Sequence, residues 1–196
     1  MPKILLKLIL ILISGCCPEI QKCSGKIQND VRKELFMYQY TDTNSHPYIS
    51  LSDCRIEKIR LENRDIIFEF DDMGFWFTDS HPQNPYKTLL RTDKSEVRFV
   101  NVDPRFTFIN YHAEVYLAEK KLLTKRIEVS MGEFISKINN RRWTLYVTDE
   151  YYGVRRVIIC GSLFRDAPPY AADVQIEVYY QESRYYWNKI CEDRTW

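Results

Sequence analysis

The sequence predicts a mainly β protein: an antiparallel β-sandwich or a strongly curved two-layer sheet, with one short α-helix at about 130–139. Three observations predict it. From Cys54 onward, apolar residues recur with a period of two in short runs. Turn residues separate those runs. A single segment, near 130–139, changes to helical spacing. The chain has 196 residues, 45% apolar and 14% aromatic, which suits one domain whose core needs neither metal nor disulfide. Its formal charge of +1 argues against a nucleic-acid binder, which carries a basic face.

Taken in order, residues 55–70 read as a hairpin. Ile59 and Leu61 share a face of the first strand, Asn63-Arg64-Asp65 turns the chain, and Ile66 to Phe70 returns. Asp71-Asp72-Met73-Gly74 is a turn whose glycine can take a positive φ. Phe75-Trp76-Phe77 restarts a strand, and Asp79 to Pro85 is a loop. Glu96 to Val102 and Phe106 to Leu117 read as strands. In the second, Ile109, Tyr111, Ala113, Val115 and Leu117 alternate with Asn110, His112, Glu114 and Tyr116, the pattern of a sheet with one packed face. Ser130-Met131-Gly132-Glu133 fits a capping box. Met131, Phe134, Ile135 and Ile138 follow on one helical face, and Asn139-Asn140 stops the helix. Trp143 to Thr148 alternates again, Asp149 to Gly153 reads as a turn, and Val157 to Cys160 has the continuous apolar character of a central strand. After Pro168-Pro169, a strand from Val174 is expected to run on towards Trp187. The sum is about nine or ten strands and one helix.

Residues 1–36 do not match this pattern, and three readings fit them. Ile4 to Ile13 is too short to span a bilayer but suits the apolar region of a signal peptide. Ile13-Ser14-Gly15-Cys16 resembles a lipobox, which would make Cys16 a lipidation site, although Lys7 interrupts the apolar run. Alternatively, Lys33-Glu34 can be encoded as a bacterial ribosome-binding sequence just ahead of Met37, making 1–36 an untranslated leader. A retained tail is the third reading. The domain is then 37–196. Removing six bases and three acids with the leader leaves 22 bases and 24 acids, a net charge of −2. Cys54, Cys160 and Cys191 remain, an odd and sparse set that suits a reducing compartment. The expected location is the cytoplasm, or a membrane surface if Cys16 is lipidated.

Chemistry-bearing motifs are scarce. His46, His81 and His112 lie far from one another and from any cysteine, so no compact metal motif is present. No metal and no cofactor is expected. Asp79 and His81 share a loop and could orient each other, and Asp53 offers a further carboxylate for a polar site. Cys54 and Cys160 read as buried, inert thiols. There is no nucleophile elbow, phosphate loop or dinucleotide fingerprint, and no catalytic residue is assigned. Aromatic residues are the unusual feature: Phe75 to Phe77, Tyr151-Tyr152, Tyr179-Tyr180 and Tyr185 to Trp187 cluster in short stretches. Neighbours on a strand face opposite ways, so each stretch is expected to send rings outward. Trp76, Tyr152, Tyr179, Tyr186 and Trp187 are the expected binding residues, since outward rings anchor protein partners or stack on sugars.

Ser50-Leu51-Ser52-Asp53-Cys54-Arg55, the hairpin after it, Gly74-Phe75-Trp76 and the closing Tyr186-Trp187-Asn188 resemble an uncharacterised family of small β-rich proteins from low-GC Gram-positive bacteria. Its members open with S-L-H-D-C-R and have no assigned activity. The resemblance covers roughly 37–188 and favours Met37 as the start. Ser52 stands where the family has histidine, which weakens any catalytic His-Asp pair at Asp53. Other small bacterial β proteins with a similar opening look like immunity proteins, an analogy of fold and not of function. The near-neutral charge, the absence of catalytic motifs and the surplus of outward aromatics make binding of a protein partner without catalysis the expected function, with the immunity-protein manner an analogy only. The alternative is a lipid-anchored surface module for carbohydrate or cell wall. A weaker alternative is an enzyme using Asp53, Asp79 or His81.

Overall fold

Period-two segments do build the molecule. A computed structural model describes residues 38–117 and 120–195. The expectations for residues 1–36, Cys16 among them, and for the side chains of Val115, Tyr116 and Leu117 lie outside the described residues. In chain order the strands are β1 Tyr40–Thr43, β2 Ile49–Ser50, β3 Arg55–Glu62, β4 Asp65–Phe70, β5 Trp76–Phe77, β6 Leu90–Thr92 and β7 Glu96–Val100. They continue as β8 Phe108–Leu117, β9 Lys120–Glu128, β10 Trp143–Gly153, β11 Arg156–Arg165, β12 Ala171–Tyr179, β13 Glu182–Trp187 and β14 Ile190–Thr195. The helix, α1, spans Met131–Asn139. Ten strands form one antiparallel sheet in the order β1-β13-β7-β4-β3-β10-β11-β12-β8-β9, and four form a second, β14-β6-β5-β2. The mainly β, two-layer expectation holds, with more strands than the sequence pattern revealed.

The ten-stranded sheet is nearly two sheets. β3 and β10 pair only through Leu145 with Ile56 and Tyr146 with Arg55, so the lobe β1-β13-β7-β4-β3 meets the lobe β10-β11-β12-β8-β9 at a narrow seam. Beyond the seam β3 lacks a strand neighbour on that side among the described residues. Asn139, at the end of α1, fills the gap: its side chain accepts from the Ile59 N–H at 2.9 Å and donates to the Ile59 carbonyl at 2.8 Å. Buried backbone groups need such partners. Ser130 Oγ accepts the Glu133 N–H at 3.2 Å at the other end of the helix, as the capping box predicts. Phe134 and Ile138 are buried, and the Phe134 ring meets Trp143 at 6.0 Å. The small sheet covers the first lobe, with Phe75 on Tyr185 at 5.9 Å and Phe77 on Trp187 at 4.9 Å. Opposite that core, Arg60 bonds Glu62, Glu69 and Glu96 across three strands. Burial pushes the Glu96 carboxyl up, against the pull of Arg60 and Arg98.

Three sequence expectations need correction. The stretch Asp149 to Gly153 is not a turn, because β10 runs straight through it to pair with Arg156–Cys160 of β11. A bulge at Thr148 disguises the strand. The strand expected from Val174 to Trp187 is broken at Tyr180-Gln181, where the chain leaves one lobe for the other. Cys160 is half-buried and not sealed in the core, because it faces away from Ile159 and Gly161. The hairpin 55–70, the positive φ of Gly74 (55°) and the inward alternation of Ile109, Tyr111 and Ala113 all stand.

Candidate functional site

The Ser50–Arg55 segment lies against β10 just where that strand bulges. The Asp53 N–H donates to the Val147 carbonyl at 2.8 Å, and the Val147 N–H returns to the Cys54 carbonyl at 2.9 Å. Ser52 Oγ donates to the Thr148 carbonyl at 2.8 Å. Asp53 takes a φ of 57°, a left-handed conformation that Asp tolerates better than most residues. The turn directs two carbonyls to the other side. Trp76 Nε1 donates to Ser52 O at 2.9 Å, and Arg91 Nη2 donates to Asp53 O at 2.8 Å. The Arg91 guanidinium lies 4.2 Å from the centre of the Trp76 ring, a stacking contact of cation on aromatic face.

The bulge re-aims the residues after it. Trp143, Leu145 and Val147 face the core. With Thr148 as an extra residue, Glu150 and Tyr152 face inward and Asp149 and Tyr151 outward; Tyr151 is 59% exposed. Glu150 Oε1 accepts the Leu51 N–H at 2.9 Å, while Oε2 is buried without a hydrogen-bond partner among the described residues. Burial pushes the Glu150 carboxyl up, and the Leu51 N–H and Ser50 hydroxyl oppose it. The hydroxyls of Tyr152 and Tyr185 hydrogen-bond at 3.2 Å. The His46 ring stacks on Tyr152 at 4.4 Å, with its Nδ1 also buried and unpartnered among the described residues. Burial lowers the His46 pKa and raises both tyrosines. Burial thus disfavours the charged form of each of these groups. Burial also pushes the Cys54 thiol far up, so it stays protonated and a poor nucleophile.

The expected polar site does not assemble. His81 is fully buried and packs on Phe77 at 4.1 Å. Its Nδ1 accepts the Gln83 N–H at 3.0 Å, so Nε2 carries the proton and faces Asp42 Oδ2 at 3.2 Å. Burial lowers its pKa and Asp42 opposes that shift. Asp79 and Asp53 are exposed and are not its partners. Among the described residues, no group of three or more His, Cys, Asp or Glu side chains is placed to hold a metal ion.

The expected binding aromatics divide. Trp76 is 6% and Trp187 1% exposed, so both face inward, and Tyr152 lies in the cluster just described. Tyr179 and Tyr186 are half-buried on the outer face. Tyr179 has the Phe106 ring at 5.6 Å and the Arg156 guanidinium at 5.5 Å.

Two open surfaces went unrecognised in the sequence. The first is a cleft of about 510 Å³ lined by Tyr40, Tyr86, Trp187, Gln83 and Lys189 among others. The second is the β8–β9 ribbon. β12 pairs with β8 only as far as His112, so the hairpin beyond it stands as two strands. Among the described residues β9 ends the sheet, nearly all its side chains are exposed, and Leu122 and Leu123 are 55% and 51% exposed. It carries Lys120, Lys121, Lys125 and Arg126 against one acid, Glu128; Lys121 pairs with Glu114 across the ribbon.

Among the described residues, no helix is long and apolar enough to cross a membrane. No protein-family model matches this sequence, and neither the curated proteins nor the solved structures contain a match.

Proposed function

We propose that this chain acts by binding a protein partner, in the manner of an immunity protein, and that the β8–β9 ribbon is the contact. One observation carries this: an overhanging hairpin with two adjacent exposed leucines ringed by cations. A two-stranded ribbon with no third strand is marginal on its own, and exposed apolar side chains on such an element mark interaction sites. A photo-crosslinking amino acid placed at Leu123 in the native cell tests it. The expected result is one protein adduct, lost on Leu122→Glu. The same probe at Tyr170, an exposed residue elsewhere in the fold, should give none. No adduct at Leu123, or the same adducts from both positions, would overturn the reading.

The cleft favours a second reading, the surface module for carbohydrate anchored through Cys16. Tyr40 and Tyr86 are exposed, and Tyr40 stacks above Trp187 at 5.8 Å. Aromatic rings beside the amide of Gln83 suit a sugar face. Cell-wall glycan fragments should then quench tryptophan fluorescence in the native chain and not in Tyr40→Ala. Equal quenching of both would remove this reading.

A further inference from the structure

We infer that the free edge of β9 takes up an extended acidic segment of a protein partner as an added antiparallel strand. This rests on the proposed role of the ribbon in partner binding and specifies its chemistry. The backbone geometry comes first. The Val129 N–H bonds the Ile109 carbonyl at 2.9 Å, which makes 109 and 129 a hydrogen-bonded pair. Such pairs alternate along an antiparallel ladder. By the register of β8 with β9, Ile127, Lys125 and Leu123 then bond inward to Tyr111, Ala113 and Val115. Thr124, Arg126 and Glu128 turn their N–H and C=O groups to the open side. That is a row of donors and acceptors at the spacing of a strand, the template used in strand addition.

The side chains say which strand fits. Lys125 lies opposite Ala113 on the core-facing side of the ribbon, and Arg126 lies opposite His112 on the other. The cations thus flank the edge on both faces. A nucleic-acid or lipid surface would be met by one face of the ribbon, whereas an added strand sends alternate side chains to both. A second copy of β9 fits badly, because its cations would stand beside these, and like charges facing across strands are destabilising. Carboxylates in the same places are attracted. The lysines that keep the edge from pairing with itself therefore select an acidic guest. Leu122 and Leu123 give such a guest an apolar contact near the hairpin end.

Amide NMR of the full chain tests this, using a twelve-residue peptide of repeating glutamate-glutamate-threonine, which as a strand carries carboxylates on both faces. Saturable shifts should centre on Thr124 and Arg126, and a lysine-threonine peptide should give none. Thr124→Pro removes an outward N–H while leaving the ladder to β8, and it should weaken binding at least tenfold. Thr124→Val keeps the N–H and should bind as the native chain does. Lys125→Glu with Arg126→Glu should also weaken binding at least tenfold. Three outcomes would overturn the proposal: shifts centred elsewhere, unweakened binding by Thr124→Pro, or tighter binding of oligothymidylate or phosphatidylglycerol vesicles at these residues. The Leu123 crosslink separates this inference from the broader one. An adduct undiminished in Thr124→Pro would keep the protein partner and remove the added strand.

Discussion

At Glu150, one carboxylate oxygen accepts the Leu51 N–H and the other is buried without a partner among the described residues. Burial raises its pKa in the folded chain above the ordinary 4.5. The folded state therefore holds this proton more tightly than the unfolded one. The group's contribution to stability is greatest below pH 4.5 and declines as pH climbs through the raised value. Glu150→Gln keeps an oxygen for the Leu51 N–H and cannot ionise, so it should escape that decline. Urea midpoints at pH 4.5 and pH 7.5 would show it: the variant should gain on the native chain at the higher pH. An equal difference at both would contradict the account. Tyr185 makes a simpler case. Tyr185→Phe removes one member of the 3.2 Å hydroxyl pair with Tyr152 and leaves the other buried, which should cost about 1–3 kcal/mol in a denaturant melt.

Among the elements, the bulge in β10 determines which residues make up the inner cluster. Just before it, Val147 lies opposite Gly161 of β11. A Cβ built on Gly161 would meet the Tyr146 carbonyl oxygen, and backbone cannot swing aside as a side chain can. Gly161→Ala should destabilise by about 1–3 kcal/mol or more, read as a lower urea midpoint. Deleting Thr148 removes the extra residue and leaves Val147 inward, Asp149 outward and Glu150 inward in the register already present, so Glu150 and Tyr152 should keep their faces. The loss should then stay near that of the Ser52 Oγ bond to the Thr148 carbonyl, about 1 kcal/mol, and a loss of several kcal/mol in the urea melt would contradict this reading of the bulge. Helix α1 offers another test. Ser130→Ala removes the bond to the Glu133 N–H and should cost about 1 kcal/mol, whereas Ser130→Asp should cost little.

On the scale of the whole molecule, the two-layer architecture was legible because its long strands bury one face. Ile59 and Phe68 announce β3 and β4, and Val174, Ile176 and Val178 announce β12. The features that could not be read have physical causes. β1, β2, β5 and β6 are two to four residues long, too short to show a period. β9 buries almost nothing, so Lys120 to Glu128 has no alternation to detect. The bulge at Thr148 shifts the period by one and makes a strand look like a turn. Asp42, the partner of His81, lies 39 residues from it in sequence, and only folding brings them together. The same long-range order predicts that a chain ending at Gln181 has no cooperative melt. It would lack β13, which lies between β1 and β7, and β14, which pairs with β6.

That placement has a consequence for how the protein is made. A ribosome adding about 5–20 residues per second releases β13 and β14 roughly 7–30 seconds after β1. Until they emerge, β1 has no neighbour, β7 has a bare flank, and the rings of Phe75 and Phe77 lack Tyr185 and Trp187. The nascent chain can shape its hairpins one by one but can close neither layer. Its maturation is therefore a single late event, and its greatest need of a chaperone falls in the interval before those two strands leave the exit tunnel.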